Sequence, residues 1–303
     1  MAGSIEWIAV DWGTSNVRLW GIEADGGIAF AESSDQGMGK LTAAQYPQVL
    51  SDLVGAHAPG VTEVVVCGMA GARQGWLEAP YRETPTQLSG LLQAAVAPSA
   101  PGFDVRILPG VCQRTGSEDV MRGEETQLLG LLALRPDFAG TVIMPGTHSK
   151  WVRIEDGTIS GFATAMTGEL YDVLGTHSVL RHSLNGERNG PATEDGIATG
   201  LDAGLNDPER LTGLLFRTRA ASLLSGRGPD WCSGYLSGLL IGAEIGGHRS
   251  WLGGGIVPLV GSARLGKIYA EGLARIGVRS EMIDATDATL AGLKAARQQG
   301  RQN

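Results

Sequence analysis

The same order of three strands and two turns occurs twice in this chain of 303 residues. Runs of β-branched and aromatic residues bounded by glycine-rich turns predict strands. The first set comprises residues 7–10, 17–22 and 28–32, and the second comprises residues 141–144, 150–154 and 159–163. In each set a Gly-Thr pair joins the first two strands and an Asp-Gly pair joins the next two. A duplicated antiparallel meander predicts two related domains, with chance recurrence of a common pattern as the alternative.

The turn after the first strand carries a carboxylate. Asp11 ends that strand, and four small residues surround the turn: Gly13, Thr14, Ser15 and Asn16. Such a turn directs backbone N–H groups toward a phosphate, and an adjacent acid can hold Mg²⁺. When the two sets are aligned on their Gly-Thr pairs, Met144 stands opposite Asp11. We therefore expect both turns to bind one phosphate chain and Asp11 alone to handle the metal, whereas an ordinary polar hairpin is the alternative.

Strands and helices alternate after each meander, which predicts parallel strands with crossover helices. In the first half a strand at 61–66 is followed by a helix at 87–96, and another helix starts after Met121. Near the C-terminus a strand at 256–260 ends in Gly261 and Ser262 and leads into a helix. At such a junction an adenosine can lie close to the backbone.

Composition excludes several other classes of protein. The net charge of −8 argues against a nucleic-acid partner, because neutralising a phosphate backbone needs a basic face. The apolar run at 235–245 is too short and too polar to span a bilayer, and the chain enters a strand without an export signal, so we expect a cytoplasmic protein. Three widely spaced cysteines and five scattered histidines predict reduced thiols and no structural zinc.

Three glycine turns now stand in order along the chain: Gly13-Thr14, Gly146-Thr147 and Gly261-Ser262. Together with the duplicated meander, they resemble the turns of the superfamily of sugar kinases, hsp70 chaperones and actin. This resemblance covers nearly the whole chain. It implies an α/β fold of two ribonuclease-H-like domains with an ATP cleft between them. Residues 1–139 would form the sugar-acid-binding domain with the first phosphate turn. Residues 140–303 would form the nucleotide-binding domain, in which Gly146 and Thr147 bind phosphates and Gly261 and Ser262 hold the adenosine.

A closer resemblance is to the 2-dehydro-3-deoxygalactonokinase family. It is carried by six blocks that follow one another in that family's order: residues 11–16, 68–71, 120–128, 144–152, 166–170 and 236–244. The resemblance implies that ATP, with Mg²⁺, phosphorylates the 6-hydroxyl of 2-dehydro-3-deoxy-D-galactonate in galactonate catabolism. A polar loop at 185–193 and the C-terminal tail depart from the family's pattern.

Transfer of a phosphoryl group to a sugar hydroxyl needs a base near the attacking oxygen and stabilisation of the transferred charge. In related sugar kinases the base is a carboxylate at a helix start just before the second phosphate turn, and Glu124 and Glu125 occupy that place. Most such kinases have Asp there. We favour Glu124 as the base and keep Glu125 as the alternative, since an acid at either position also suits the helix dipole.

The carboxylate of a sugar acid needs an arginine or a set of hydrogen-bond donors. Five residues in segments expected to border the cleft are candidates for binding the sugar acid: Asn16, Arg18, Arg73, Trp76 and Arg122. An ordinary surface role is the alternative for each. Lys150 follows the second turn, where a cation could meet phosphates, but an exposed strand residue is the favoured interpretation.

Three other functions remain open from the sequence. The protein could phosphorylate another sugar or sugar acid, such as a gluconate or a hexose. It could be an ATP-driven switch of the actin or chaperone type, although 303 residues leave little chain for extra subdomains. It could also be a phosphatase of the same fold. The sequence leaves the oligomeric state open, with a homodimer as one arrangement.

Overall fold

The structure, a computed structural model, describes residues 4–55, 57–114, 116–184 and 190–301. The chain divides into two compact units. The first contains Met1–Ala139, Ile154–Gly161 and Ala285–Asn303, and the second contains Gly140–Arg153 and Phe162–Asp284. Of the polar loop predicted at 185–193, residues 185–189 lie outside the described residues, and the loop's end belongs to a helix that begins at Pro191.

Strands and α-helices follow one another along the chain. The strands are β1 (Ile5–Trp12), β2 (Val17–Glu23), β3 (Ile28–Ser34), β4 (Glu63–Gly68), β5 (Arg82–Glu83), β6 (Thr86–Gln87), β7 (Asp104–Ile107), β8 (Val111–Gln113), β9 (Asp119–Met121), β10 (Gly140–Met144), β11 (Ser149–Glu155), β12 (Thr158–Ala165), β13 (Val257–Gly261) and β14 (Ser280–Asp284). The α-helices are α1 (Tyr46–Gly55), α2 (Glu124–Leu134), α3 (Thr167–His177), α4 (Pro191–Asn206), α5 (Leu211–Leu224), α6 (Pro229–Gly247), α7 (Ala263–Arg275) and α8 (Ala285–Arg301).

The sheet of the first unit has the strand order β3-β2-β1-β4-β7. β1 pairs antiparallel with β2 and parallel with β4, and β4 pairs parallel with β7. Residues 7–10 in the middle of β1 are buried on both faces of the sheet, as a central strand requires. Asp11 therefore lies near the carboxyl end of β1, beside the end of β4, where open α/β sheets bind ligands.

The second meander is extended in the same way. The strand order of its sheet is β14-β13-β10-β11-β12-β6, and β13 pairs parallel with both β10 and β14. If β10 is matched with β1, the first five strands have the same order as the first sheet, and β6 is an additional antiparallel edge strand. The predicted α/β fold class of duplicated ribonuclease-H-like domains is therefore confirmed.

The helix predicted at 87–96 is wrong. Residues Thr86–Gln87 form strand β6, and only Leu92–Ala94 form a short 3₁₀ turn. Gly90 has φ +116°, a backbone conformation that ends a helix, although Leu88 and Leu91 are buried at helical spacing. The neighbouring strands β5, β8 and β9 form a small sheet. They are only two or three residues long, so the sequence showed no periodic pattern for them.

The C-terminal helix α8 belongs to the first unit, not to the continuous domain 140–303 predicted from the sequence. A Cβ atom on Gly130 of α2 would lie 1.8 Å from the backbone oxygen of Ala288, so the two helices are in backbone contact. Arg297 of α8 also donates to both carboxylate oxygens of Glu63, at 2.8 and 2.9 Å. Close backbone packing therefore fixes α8 against α2, the helix that begins with Glu124, and the partly buried ion pair fixes α8 to the start of β4.

No helix in the described ranges is both long and apolar enough to cross a membrane.

Candidate active site

The first turn is held from one side by the segment that follows β3. The N–H of Gly13 donates to the Asn16 carbonyl, and the carbonyls of Gly13 and Thr14 accept from Met38 and Gly39, each at 2.9 Å. A Cβ atom on Gly37 would lie 2.3 Å from the carbonyl carbon of Ser15. Glycine at 37 therefore lets this segment approach the turn closely, and the turn and the end of β3 line a pocket.

Asp11 lies at the base of this pocket, with 18% of its side chain exposed. Its Oδ2 atom accepts a hydrogen bond of 2.6 Å from Arg18 Nη2, and Arg18 Nη1 donates to Thr286 Oγ1 at 2.8 Å. The pocket brings together six residues that the sequence assigned to phosphate, metal or sugar-acid binding: Asp11, Gly13, Thr14, Ser15, Asn16 and Arg18.

The end of β4 and the start of α2 meet behind Asp11. Gly68 has φ +88°, and a Cβ atom there would lie 2.8 Å from the Trp12 carbonyl oxygen and 3.3 Å from Asp11 Oδ1. Gly123, which precedes α2, has φ +105° and packs against Gly68. Two glycines thus let the backbone bring the first acids of α2 toward Asp11.

The structure separates the two candidate bases. Glu125 is completely buried; it accepts from the Gly123 N–H at 2.7 Å and from Thr126 Oγ1 at 3.0 Å. Burial, and to a lesser extent the charge of Glu124, raises the pKa of Glu125 from 4.5 to about 7. Glu124 is only half-buried and accepts from the Arg122 N–H at 3.0 Å. Only Glu124 is exposed enough to meet a substrate directly.

Arg122 and Arg73 have very different surroundings. The guanidinium of Arg122 lies 4.4 Å from the centre of the Tyr81 ring and donates to the Ala79 carbonyl at 2.7 Å. Within the described residues its buried Nε and Nη1 atoms have no hydrogen-bond partner. The Arg73 side chain is 81% exposed and lies 3.5 Å from a Glu78 oxygen.

Trp76, a predicted sugar-acid ligand, does not line the pocket at Asp11. It is 7% exposed and stacks on Tyr46, with a ring-centre distance of 5.5 Å, in the core of the first unit. An aromatic residue beside a glycine loop looks the same in sequence whether it faces a ligand or the core, so only tertiary packing identified its position.

The second unit contains a cavity of about 570 Å³ that reaches the second turn. This volume lies in the range of small-molecule sites. Its walls come from the second turn and helices α3, α4, α6 and α7, and its polar lining includes Thr147, Tyr171, Thr193, Ser237 and Lys267. Within the described residues the buried hydroxyl of Thr193 has no hydrogen-bond partner.

The second turn is held by the N-terminus of α3. The Glu169 N–H donates to the Thr147 carbonyl at 3.0 Å, and a Cβ atom on Gly168 would lie 2.6 Å from the Gly146 oxygen. The side chains of His148 and Glu169 are in hydrogen-bond contact beside the turn. Lys150 is 5% exposed and donates to Thr164 Oγ1 at 2.8 Å, so the interpretation of an exposed lysine was wrong.

Gly261 and Ser262 lie at the end of β13 and the start of α7. A Cβ atom on Gly261 would lie 3.2 Å from the Pro145 oxygen, so this junction touches the second turn. The cavity wall itself begins at Arg264 and Leu265. Neither Gly261 nor Ser262 lines the cavity; Gly261 packs against the second turn beside it, and residues of α7 form the wall.

Sequence analysis missed the residues that α4 and α6 contribute to the cavity, including Thr193, Ser233 and Ser237. A sequence signal for this helix pair exists. Glycines recur every four residues in both helices, and a Cβ atom on any of them would meet the other helix's backbone within 2.6 Å: Gly196, Gly200, Gly204, Gly234, Gly238 and Gly242. Close packing of these helices places the hydroxyl groups that line the cavity near one another.

Known proteins of similar sequence decide the family. The 2-keto-3-deoxy-galactonokinase family matches residues 11–296. This chain belongs to that family. A probable 2-dehydro-3-deoxygalactonokinase of Rhizobium meliloti (strain 1021) is 42% identical over 293 residues, which are 95% of each chain.

A second relative and a solved structure are similar over nearly their whole length. The 2-dehydro-3-deoxygalactonokinase of Escherichia coli (strain K12) is 34% identical over 291 residues, which are 95% of this chain and 96% of that one. A crystal structure of a candidate 2-dehydro-3-deoxygalactonokinase from Sinorhizobium meliloti is 42% identical, with a TM-score of 0.90 and 96% of both chains covered. The family match begins at Asp11 and ends within α8, so it includes both turns.

Among the described residues, no group of three or more His, Cys, Asp or Glu side chains could hold a metal ion. Mg²⁺ in phosphoryl-transfer enzymes is bound by one or two carboxylates together with substrate phosphates and waters, so one well-placed acid suffices. Asp11 is partly exposed in a pocket lined by small residues. Cys67 Sγ lies 3.9 Å from Asp11 Oδ1, and burial raises the pKa of that thiol well above its ordinary value, so it stays neutral. The residues present are compatible with Mg²⁺ bound through Asp11.

Proposed function

We propose that this protein is an ATP-dependent kinase that phosphorylates the 6-hydroxyl of 2-dehydro-3-deoxy-D-galactonate. The products are 2-dehydro-3-deoxy-6-phosphogalactonate and ADP, and the reaction belongs to galactonate catabolism. Membership of the 2-keto-3-deoxy-galactonokinase family and two relatives named for this activity support the substrate. We further propose that the enzyme works in the cytoplasm on these two small molecules.

The observation that carries the proposal is the cavity of the second unit, which ends at Gly146 and Thr147. A nucleotide needs apolar walls for the base, polar groups for the ribose, and a glycine turn for the phosphates. The cavity offers Leu240 and Ile268 as apolar lining and Thr193 as a buried hydroxyl, for which the described part of the chain supplies no hydrogen-bond partner. A buried polar group without a partner costs stability, and a ligand hydrogen bond to Thr193 would remove that cost.

The sugar acid is assigned to the first unit, with Arg122 as the arginine for its carboxylate. Burial of the Arg122 Nε and Nη1 atoms without a partner among the described residues is costly, so a bound carboxylate that accepts from them would be stabilising. Arg73 is a weaker candidate, because an exposed ion pair contributes little. Asn16 and Arg18 lie at the pocket that also contains Asp11 and are proposed to orient the hydroxyl end of the substrate.

Glu124 is proposed as the general base. It takes the proton of the 6-hydroxyl as that oxygen attacks the γ-phosphorus of ATP, and the bond to the β,γ-bridging oxygen breaks to release ADP. The Mg²⁺ ion, when bound, supplies neutralisation of phosphate charge, and Asp11 would hold it. Arg18 orients the Asp11 carboxylate through the 2.6 Å hydrogen bond, and Glu125 holds the Gly123 turn from which Glu124 projects.

An ADP-release assay with Mg-ATP and a panel of acceptors tests the proposal. The panel contains 2-dehydro-3-deoxy-D-galactonate, its gluconate epimer, galactonate, gluconate and glucose, with a reaction lacking any acceptor. We expect turnover with the galactonate-derived acid and a kcat/KM at least tenfold above that of the other acceptors. Equal ADP release without acceptor would indicate an ATP-driven switch, and a higher kcat/KM for another acceptor would replace the proposed substrate.

A further inference from the structure

A buried carboxylate lies behind the second turn. Glu244 of α6 is 6% exposed, does not line the cavity, and touches none of the residues proposed to take part in the chemistry. Trp151 Nε1 donates to its Oε1 atom at 2.8 Å, and Tyr269 OH donates to its Oε2 atom at 2.6 Å. The Thr167 hydroxyl also donates to Oε2. One buried acid is thus the common acceptor for groups from β11, α3 and α7.

The donors to Glu244 belong to the elements that form the phosphate end of the cavity. Thr167 is the first residue of α3, next to the glycine that packs on Gly146. Tyr269 and Thr167 both line the cavity while their hydroxyls point behind it to Glu244. A change at Glu244 would therefore reach the cavity through its donors.

A directed chain of hydrogen bonds continues from Tyr269 to the second turn. Because Tyr269 uses its single proton on Glu244, its oxygen accepts from the Ser149 hydroxyl at 2.8 Å. Ser149 Oγ in turn accepts from the Gly146 N–H at 3.5 Å. Every donor in this chain points toward Glu244, so the acid fixes which way each hydroxyl is oriented and ties a backbone amide of the turn to the core of the second unit.

A carboxylate is suited to this place because it accepts at both oxygens and donates at neither. Burial raises the pKa of Glu244 above its ordinary value, and hydrogen bonds from Thr167, Tyr269 and Trp151 oppose that rise. A buried acid in an apolar surrounding is costly. If this position needed only packing, a leucine would fill it without that cost. The presence of an acid therefore points to a requirement for hydrogen bonds of one fixed direction.

We propose that Glu244 is the positioning residue of the nucleotide site, holding Gly146, Thr147 and the start of α3 in the conformation that receives the nucleotide phosphates. It acts through Tyr269, Ser149 and Thr167 and does not touch the nucleotide. The inference rests on the proposed function, because it takes the cavity of the second unit as the nucleotide site.

The substitution Glu244→Gln changes the direction of the hydrogen bonds while it keeps the side-chain volume nearly constant. An amide NH₂ at the Oε1 position would face the donor-only Trp151 N–H. At the Oε2 position it would force Tyr269 to donate to Ser149, which reverses the chain. We expect the Kd for ADP and the KM for Mg-ATP to rise about tenfold, the change that accompanies loss of one well-placed hydrogen bond. We expect the KM for the sugar acid to stay within twofold, because Arg122 and Glu124 lie in the other unit.

The experiment measures ADP binding by titration calorimetry and both KM values by steady-state kinetics on the full chain. Glu209→Gln, an exposed position outside the cavity, is the matched control and should change none of them. Ser149→Ala removes the acceptor of the Gly146 N–H without altering a buried charge. It should raise the Kd for ADP in the same direction, and it tests the proposal even when Glu244→Gln fails to fold.

A double variant shows whether the two residues act through one chain. If they do, Glu244→Gln with Ser149→Ala should weaken ADP binding no more than the larger single effect, because coupled residues are not additive. Unchanged ADP affinity in both single variants, or equal rises in both KM values, would overturn the inference. If the wild-type protein still bound ADP, the assignment of the nucleotide site would stand. Absence of ADP binding in the wild-type protein would overturn the nucleotide site and this inference together.

Discussion

The two Gly-Thr turns follow matching strands of two sheets that share an order of five strands, yet the acids that hydrogen-bond around them differ in exposure. At the first turn Asp11 is partly exposed in the pocket and hydrogen-bonded to Arg18. At the second turn the matching position is Met144, which is buried, and the buried acid is Glu244, which lies behind the turn and outside the cavity lining. The same backbone arrangement therefore has an acid facing a pocket in one unit and a buried orienting acceptor in the other.

This difference distinguishes an acid that can take part in the reaction from an acid that positions other groups. A carboxylate in front of a turn can bind a metal or take a proton, so its removal should lower kcat. A carboxylate behind a turn can only orient neighbouring groups, so its removal should weaken binding of one substrate. The start of α2 repeats the contrast, because Glu124 is half-buried and Glu125 is completely buried.

The pair Glu124 and Glu125 gives the largest expected effect. Glu124→Gln should lower kcat by roughly 10²- to 10⁴-fold, the contribution of a general base, with both KM values little changed. Glu125→Gln should lower kcat by less than tenfold, because its amide oxygen can still accept from the Gly123 N–H and its NH₂ can donate to Thr126. Steady-state kinetics at pH 8 compares them, and the reverse order of effects would move the base to Glu125.

The same Glu125→Gln variant has a pH-dependent effect on stability. The pKa of Glu125 is about 7 in the folded protein, above the ordinary 4.5, so its stabilising contribution is complete below pH 4.5 and is lost as pH rises through 7. Glutamine does not titrate. Relative to wild type, the variant should gain up to about 3 kcal/mol of unfolding free energy between pH 5 and pH 8. Denaturant unfolding at both pH values measures this gain, and an identical difference at both would contradict the buried acid.

Asp11→Asn tests the front carboxylate directly. We expect kcat to fall roughly 10²- to 10³-fold, as when one electrostatic contact to a reacting group is removed, while the sugar-acid Kd is retained. Raising the Mg²⁺ concentration should restore part of the rate. Asp35→Asn is the control, since Asp35 lines the same pocket but pairs with Lys40 at 2.7 Å. A rise in the Kd for ADP with kcat unchanged would show that Asp11, like Glu244, acts by positioning groups for nucleotide binding and not in the chemical step.

The glycines that hold each turn give the smallest expected effect. Gly37→Ala and Gly168→Ala would each place a Cβ atom within 2.6 Å of turn backbone, so each should cost about 1–3 kcal/mol of stability. Of the two, only Gly168→Ala should raise the KM for Mg-ATP, several-fold. Gly213→Ala in α5 meets no atom within 4 Å and should stabilise the protein by about 0.5–1 kcal/mol. Equal changes of the KM for Mg-ATP in both turn variants would remove the distinction between the turns.

The predictions of strands and turns from local patterns were confirmed for the two meanders. The duplicated meander and the parallel strands after it were readable because strand periodicity and Gly-Thr turns are local. The helix at 87–96 was wrong, because one glycine at positive φ outweighed the spacing of its leucines. The assignments of Asp11, Gly146 and the other site residues stay predictions, since they concern ligands.

The sequence by itself determined where each turn lies, which turn carries an acid, and which family the motifs resemble. Tertiary structure alone decided that Trp76 packs in the core, that the described residues leave two buried nitrogen atoms of Arg122 without a partner, and that Glu244 lies behind the second turn. The physical reason is the separation along the chain. Glu244 meets Trp151 and Thr167 across 93 and 77 residues, so no local pattern of residues could place these groups together.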